Sequence, residues 1–230
     1  SVEAVRNTLS EEQQTIVTEV LADFDAGRRQ TYLIHGITGS GKTEVYMRLI
    51  GEMIARGRQA IVLIPEIALT YQTLLRFYQR FGDRVSVMNS TLSPGEKYDQ
   101  CERAKAGEID VIIGPRSALF TPFPSLGLIV MDEEQENSYK SESTPKYHAR
   151  ETAIERACME HARVVLGSAS PSVDSYYRGK TGAYKLVYLE ERYGGRSLPK
   201  VSVVDLREEL KTGNRSIFSS ALTEKIRDRL

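Results

Sequence analysis

Eight consecutive residues, Gly36-Ile37-Thr38-Gly39-Ser40-Gly41-Lys42-Thr43, have types and spacing that could bind phosphate. They fit the pattern G-x-x-x-x-G-K-[ST] of a P-loop. Gly36, Gly39 and Gly41 let the backbone wrap so that successive N–H groups, those of Thr38 and Ser40 among them, point at phosphate oxygens. A following helix N-terminus would add a favourable dipole. Lys42 would reach the β- and γ-phosphates of ATP, and the Thr43 hydroxyl would ligate Mg2+. The bland alternative is a glycine-rich turn with an ordinary surface lysine. Context favours the first reading, because the apolar run Tyr32 to Ile34 precedes the loop as a buried strand and the amphipathic Glu44 to Arg56 follows as a helix.

A second set of chemical groups is Asp132-Glu133-Glu134-Gln135, delivered by the apolar run Leu126 to Met131. After such a strand the first acid, Asp132, can help hold magnesium, and Glu133 can orient or deprotonate an attacking water. An acidic pair after a strand is otherwise a helix start or a solvated turn. Val164 to Leu166 ends at Gly167-Ser168-Ala169-Ser170-Pro171-Ser172, where Ser168 and Ser170 either sense the phosphate state beside the acids or simply cap the next helix.

The elements that must position these groups alternate in type. Ser10 is an N-cap with Gln13 at the capping-box position, followed by Ile16, Val17, Val20, Leu21 and Phe24 at helical spacing to about Gly27. Gln13 either completes that box or offers its amide to an adenine edge. Ala60 to Ile64, Arg84 to Met88 and Ile109 to Ile113 read as further strands, with helices after Thr70 and from Gly95 to Ala106. This rhythm predicts an α/β fold with a mostly parallel central sheet and helices on both faces. Ligands then sit at the carboxyl ends of the strands. Tyr184 to Leu189 and Val201 to Leu206 read as later strands, separated by Arg192 to Pro199, and Ser219 to Leu230 as a helix.

Composition narrows the class. The 230 residues carry 31 Lys plus Arg against 31 Asp plus Glu, so the chain is not a basic coat for nucleic acid, and any such site is local. Cys101 and Cys158 stand far apart, which supports neither a disulfide framework nor a metal site and fits a reducing cytoplasm. No long apolar run or charged-then-apolar leader is present, so neither a membrane span nor a signal peptide is expected.

Gln13, GITGSGKT, PEIALTYQ, GPRSALF, DEEQ and GSASPS occur in the order of motifs Q, I, Ia, Ib, II and III of a superfamily 2 helicase. Gly114-Pro115-Arg116-Ser117-Ala118-Leu119-Phe120-Thr121-Pro122-Phe123 and Tyr147-His148-Ala149-Arg150 are more diagnostic than the P-loop, and from about Leu9 onward the chain resembles the primosomal replication-restart helicases. The resemblance implies a RecA-like P-loop NTPase lobe within a 3′-to-5′ DNA helicase that recognises stalled or abandoned forks. It also implies single-stranded DNA-binding protein and helicase-loading primosome proteins as partners. Residues 1–8 would be a leader or linker, 9–190 the first motor lobe, and 191–230 a connection to a second lobe. The resemblance places the arginine that completes hydrolysis in that second lobe, so this chain is expected to bind MgATP or MgADP yet hydrolyse slowly. The zinc expected in the full-length family has no ligands here.

The resemblance further implies that Lys140 to Tyr147 is a loop coupling DNA to hydrolysis. Gln135 stands where many relatives have histidine, and either side chain can hydrogen-bond toward motif III or the γ-phosphate. Pro145 stands where some relatives have an aromatic, leaving Tyr139 and Tyr147 to stack on bases; the alternative is that both pack on the domain surface. Thr70, Gln72, Arg116, Ser117, Lys140, Lys146 and Arg150 are the expected phosphate contacts. Arg150 could instead pair with Glu151 or Glu155, and His148 is either a helix cap or a loop anchor. Two other readings share the P-loop: another superfamily 2 DNA translocase or RNA helicase, and a nucleotide-dependent binding module without motor activity.

Overall fold

Four-residue or longer runs buried along their whole length mark strands covered on both faces. Val111–Gly114, Gln59–Leu63, and Leu126–Asp132 up to Met131 are of this kind in the computed structural model, which describes residues 8–190 and 201–229. Residues 1–7 and 191–200, which include most of the expected leader and the stretch Arg192 to Pro199, lie outside the described residues.

In chain order the strands are β1 (Thr31–Gly36), β2 (Gln59–Leu63), β3 (Val85–Val87), β4 (Val111–Gly114), β5 (Leu126–Asp132), β6 (Arg163–Ser168) and β7 (Lys185–Leu189). They form one seven-stranded sheet in the order β3-β4-β2-β5-β6-β1-β7, and every pairing is parallel. Parallel pairing puts all carboxyl ends on one edge. The P-loop after β1, the acids after β5 and the serines after β6 are therefore neighbours there, with His35 in register with Ser168 and Asp132 with Gly167.

The helices are α1 (Glu11–Asp25), α2 (Lys42–Ala55), α3 (Tyr71–Phe81), α4 (Pro94–Lys105), α5 (Ala149–Glu160), α6 (Val173–Lys180), α7 (Leu206–Lys211) and α8 (Ser220–Arg227). Alternate strand residues feed two cores. Tyr32, Ile34, Ala60 and Val62 pack with Ile16, Val20, Leu49, Ile50 and Phe77 of α1, α2 and α3. Leu33, Ile61, Leu63 and Met131 pack on the other face with Ala104, Ala149, Ala153 and Ala157 of α4 and α5. The sheet thus has helices on both faces, as the alternation of elements predicts. Helix starts are fixed chemically: Ser10 and Ser93 form capping boxes with Gln13 and Glu96, and Thr70, His148 and Ser172 cap α3, α5 and α6.

Residues Ser1–Gly195 form one compact unit and Arg196–Leu230 a second. In the second unit the expected strand Val201 to Leu206 is absent. Val201 and Val203 are exposed, no strand forms at 201–205 among the described residues, and Asp205 caps a helix instead, its carboxylate accepting from Arg207 N. A β-branched run forms a strand only where another strand's edge can satisfy its backbone. The final helix forms as expected, with Ser219 at its N-cap.

Candidate functional site: the P-loop and the acids beside it

Gly39 and Gly41 hold φ of 84° and 86°, left-handed values that glycine adopts without strain, and they curl the P-loop between β1 and α2. Gly36 is required for a different reason. A Cβ there would lie 2.6 Å from Ser40 Oγ and 3.0 Å from Leu189 Cβ. Lys42 is buried, and its Nζ donates to the Gly36 carbonyl at 2.6 Å, so the loop closes on itself. Ser40 Oγ is buried without a hydrogen-bond partner. A buried hydroxyl left unpaired is uncommon, and it sits in a glycine-lined cradle at a helix N-terminus that suits phosphate. Thr38 and Gly39 are exposed at the loop's tip, and Thr43 lies in the first turn of α2.

Gln13 is 1% exposed. Its Oε1 accepts from Ser10 N at 2.9 Å, and its Nε2 lies 3.4 Å from the Ser40 carbonyl and 3.3 Å from that of Gly41, donating to both. The capping box forms and the rest of the amide braces the P-loop from beneath. Both Nε2 donors thus face the loop, and Oε1 accepts one bond, from Ser10 N.

Asp132 Oδ1 accepts from Tyr46 OH at 3.0 Å. Burial, then the Glu133 carboxylate, push the Asp132 pKa up. A neighbouring cation would offset that cost. Glu133 adopts φ 49°, a left-handed value uncommon for a side chain of its kind and frequent at functional turns. The turn aims three acids in three directions. Glu133 Oε2 accepts from Gln135 Nε2 at 2.8 Å, and Gln135 Oε1 accepts from Ser168 Oγ at 2.5 Å. Ser168 Oγ in turn accepts from Ser170 N at 2.9 Å, so a continuous hydrogen-bonded line joins the acids to the serines after β6.

Glu134 points inward and was not singled out from its neighbours in the sequence. Its carboxylate accepts from Ser172 N at 2.7 Å, Ser175 Oγ at 2.8 Å and Arg150 Nη1 at 3.3 Å. This overturns the expectation for Arg150. The guanidinium is 6% exposed and also donates to Ser172 Oγ, Ser175 Oγ, Glu151 and Asp174, so it ties α5 to α6 rather than facing a phosphate. It pairs with Glu151, as the alternative allowed.

Tyr139 is likewise corrected. At 1% exposure it cannot stack on a base; its hydroxyl donates to the Asp132 carbonyl at 2.7 Å and lies 3.0 Å from that of Leu63. Burial drives its pKa far upward, which keeps the phenol a donor. Arg116 Nη1 donates to the carbonyls of Ser138 and Lys140, at 2.8 and 2.7 Å, clamping the loop whose two sides meet where Ser141 N donates to the Tyr147 carbonyl. His148 is a helix cap, its Nδ1 accepting from Arg150 N at 3.2 Å. Burial, then Arg150, hold its pKa low. Tyr147 is half-buried, edge-on to the exposed Phe120 at 5.4 Å. Thr70, Gln72, Ser117, Lys140 and Lys146 are exposed on segments leaving the same sheet edge. Thr70 Oγ1 is already used, accepting from Thr73 N at 3.3 Å.

The DEAD/DEAH box helicase family matches residues 10–178. The chain belongs to that family. It is 48% identical over 220 residues to the replication restart protein PriA of Bacillus subtilis, covering 96% of this chain and 27% of that protein. It is 49% identical over 195 residues to PriA of Synechocystis, covering 83% of this chain and 24% of that one. The chain thus spans about a quarter of the length of these relatives. Among solved structures, RecG bound to a three-way DNA junction aligns with a TM-score of 0.62 at 22% identity, over 83% of this chain and 25% of RecG. The helicase MrfA bound to DNA and AMPPNP aligns at 0.55 and 17% identity, over 80% of this chain and 27% of that one. These two likenesses agree with the RecA-like α/β fold.

Among the described residues no three His, Cys, Asp or Glu side chains gather as a metal group, and no helix is long and apolar enough to cross a membrane. Magnesium at a nucleotide needs no such cage, since one or two protein ligands and the phosphates suffice. Thr43 and Asp132, on adjoining parts of the sheet edge, have the hard oxygen donors it takes.

Proposed function

We propose that this chain is the ATP-binding motor lobe of a 3′-to-5′ DNA helicase that recognises stalled or abandoned replication forks and promotes replication restart and primosome assembly in the cytoplasm. Residues 9–190 are the motor lobe and 191–230 the connection to a second lobe. The observation that carries the reading is the line Glu133–Gln135–Ser168, because it joins the acids to the serines after β6 on the edge that bears the P-loop. Similarity to PriA over nearly the whole chain supports the fork-restart assignment.

Lys42 leaves the Gly36 carbonyl for the β- and γ-phosphates, and the N–H groups of the loop hold the same oxygens. Thr43 and Asp132 hold magnesium, which supplies charge neutralisation for the phosphates. Glu133 orients the attacking water, and Gln135 is placed to pass any displacement of Glu133 to Ser168 and Ser170. Thr70, Gln72, Arg116, Ser117, Lys140, Lys146 and Tyr147 hold DNA, contacts to its phosphates positioning the strand without reading sequence. The partners are forked and single-stranded DNA, single-stranded DNA-binding protein and the helicase-loading proteins of the primosome. Hydrolysis by this chain alone is slow, because an arginine supplied from a second lobe is worth about 10³- to 10⁵-fold in such enzymes.

The test is equilibrium binding of MgATP and MgADP to this chain and to Lys42→Ala. Binding lost on substitution with the melting curve unchanged supports the site; equal binding removes Lys42 from it, and rapid turnover by the chain alone contradicts the two-lobe account.

A further inference from the structure

Tyr46 lies on α2, one helical turn beyond Thr43, and is 2% exposed. Phenylalanine would fill the same space among the apolar residues of that core. The hydroxyl adds one specific feature, the hydrogen bond it donates to Asp132 Oδ1 at 3.0 Å. A second, independent observation comes from the neighbouring strand. Gly167 pairs with Asp132 in the β5–β6 register, and a Cβ on Gly167 would lie 1.6 Å from Tyr46 OH and 2.8 Å from its Cζ. The φ of Gly167 is not positive, so the backbone conformation there does not demand glycine. What demands it is the room taken by the Tyr46 phenol.

The geometry points to Tyr46 as the positioning residue for the magnesium-binding carboxylate, with Gly167 as the gap that admits its hydroxyl. The inference rests on reading Asp132 and Thr43 as the magnesium residues, and it deepens that reading. Asp132 sits at the end of a strand and Thr43 at the start of a helix, two elements that could shift against each other. Tyr46 belongs to the helix of one and bonds the side chain of the other, so a single buried phenol sets their spacing. A carboxylate with one oxygen held this way cannot rotate freely, and such outer partners typically change metal affinity by about 10- to 100-fold.

The experiment uses this chain and a fluorescent ADP analogue, titrated once in EDTA and once across a magnesium series. Tyr46→Phe is expected to leave the EDTA affinity unchanged, since the P-loop is intact, and to raise the magnesium concentration for half-maximal binding by about 10- to 100-fold. Tyr46→Leu, which also removes the hydroxyl while keeping an apolar side chain in that core, is expected to shift the magnesium requirement in the same direction, and keeps the question open to test should Tyr46→Phe fold poorly. An unshifted magnesium requirement in both variants, or equal weakening with and without magnesium, overturns the positioning role. If the unsubstituted chain has no magnesium requirement, or Asp132→Asn does not alter one, the site reading itself falls and the proposal with it.

Discussion

The guanidinium of Arg150 is buried against the carboxylate of Glu134, Nη1 to Oε2 at 3.3 Å, with side-chain exposures of 7% and 0%. Neither charge meets bulk water, and Ser172 and Ser175 supply hydroxyls to both. Removing one partner of such a pair strands the other, at a cost of roughly 3–5 kcal/mol. Arg150→Ala is expected to lower stability by that amount in urea unfolding, whereas Lys146→Ala, on the exposed loop, changes it by less than about 0.5 kcal/mol. Unchanged stability in Arg150→Ala together with weakened DNA binding would restore the phosphate-contact role.

Tyr139 and Tyr147 flank the same loop but have separate fates. Tyr139→Phe removes a hydroxyl that donates to the Asp132 carbonyl and lies 3.0 Å from that of Leu63, and is expected to cost about 1 kcal/mol of stability without changing affinity for single-stranded DNA. Tyr147→Ala is expected to weaken that affinity by about 1 to 3 kcal/mol, the usual worth of one stacked base, and to lower stability as well, because the half-buried ring packs against the core and Phe120. Paired melting curves and fluorescence-anisotropy titrations check both. The reverse pattern would show that the loop opens and exchanges the two rings.

The sheet was legible because its central strands are covered on both faces and read as uninterrupted apolar runs between glycine- and proline-rich turns. The P-loop and the acids were legible because their chemistry dictates type and spacing locally. The fates of Tyr139 and Arg150 were not, since they depend on residues distant in sequence. The Tyr139 hydroxyl meets the carbonyl of Leu63, 76 positions away, and Arg150 meets Ser175, 25 positions away. Tyr46 was hidden for the same reason. At helical spacing it reads as a core aromatic, and only the register that sets Gly167 beside Asp132 reveals what its hydroxyl touches. Val201 to Leu206 shows the converse, a local preference for strand where, among the described residues, no strand forms.

A motor of the proposed kind turns over ATP in response to forked DNA once its second lobe is present. The most direct measurement is steady-state ATPase of this sequence extended through a second lobe and flanking domains. It would be run without nucleic acid, with forked DNA and with single-stranded RNA at one salt concentration, because phosphate contacts weaken steeply with salt. Strong stimulation by forked DNA and little by RNA is the predicted result. Stimulation by RNA equal to or greater than that by forked DNA would contradict it.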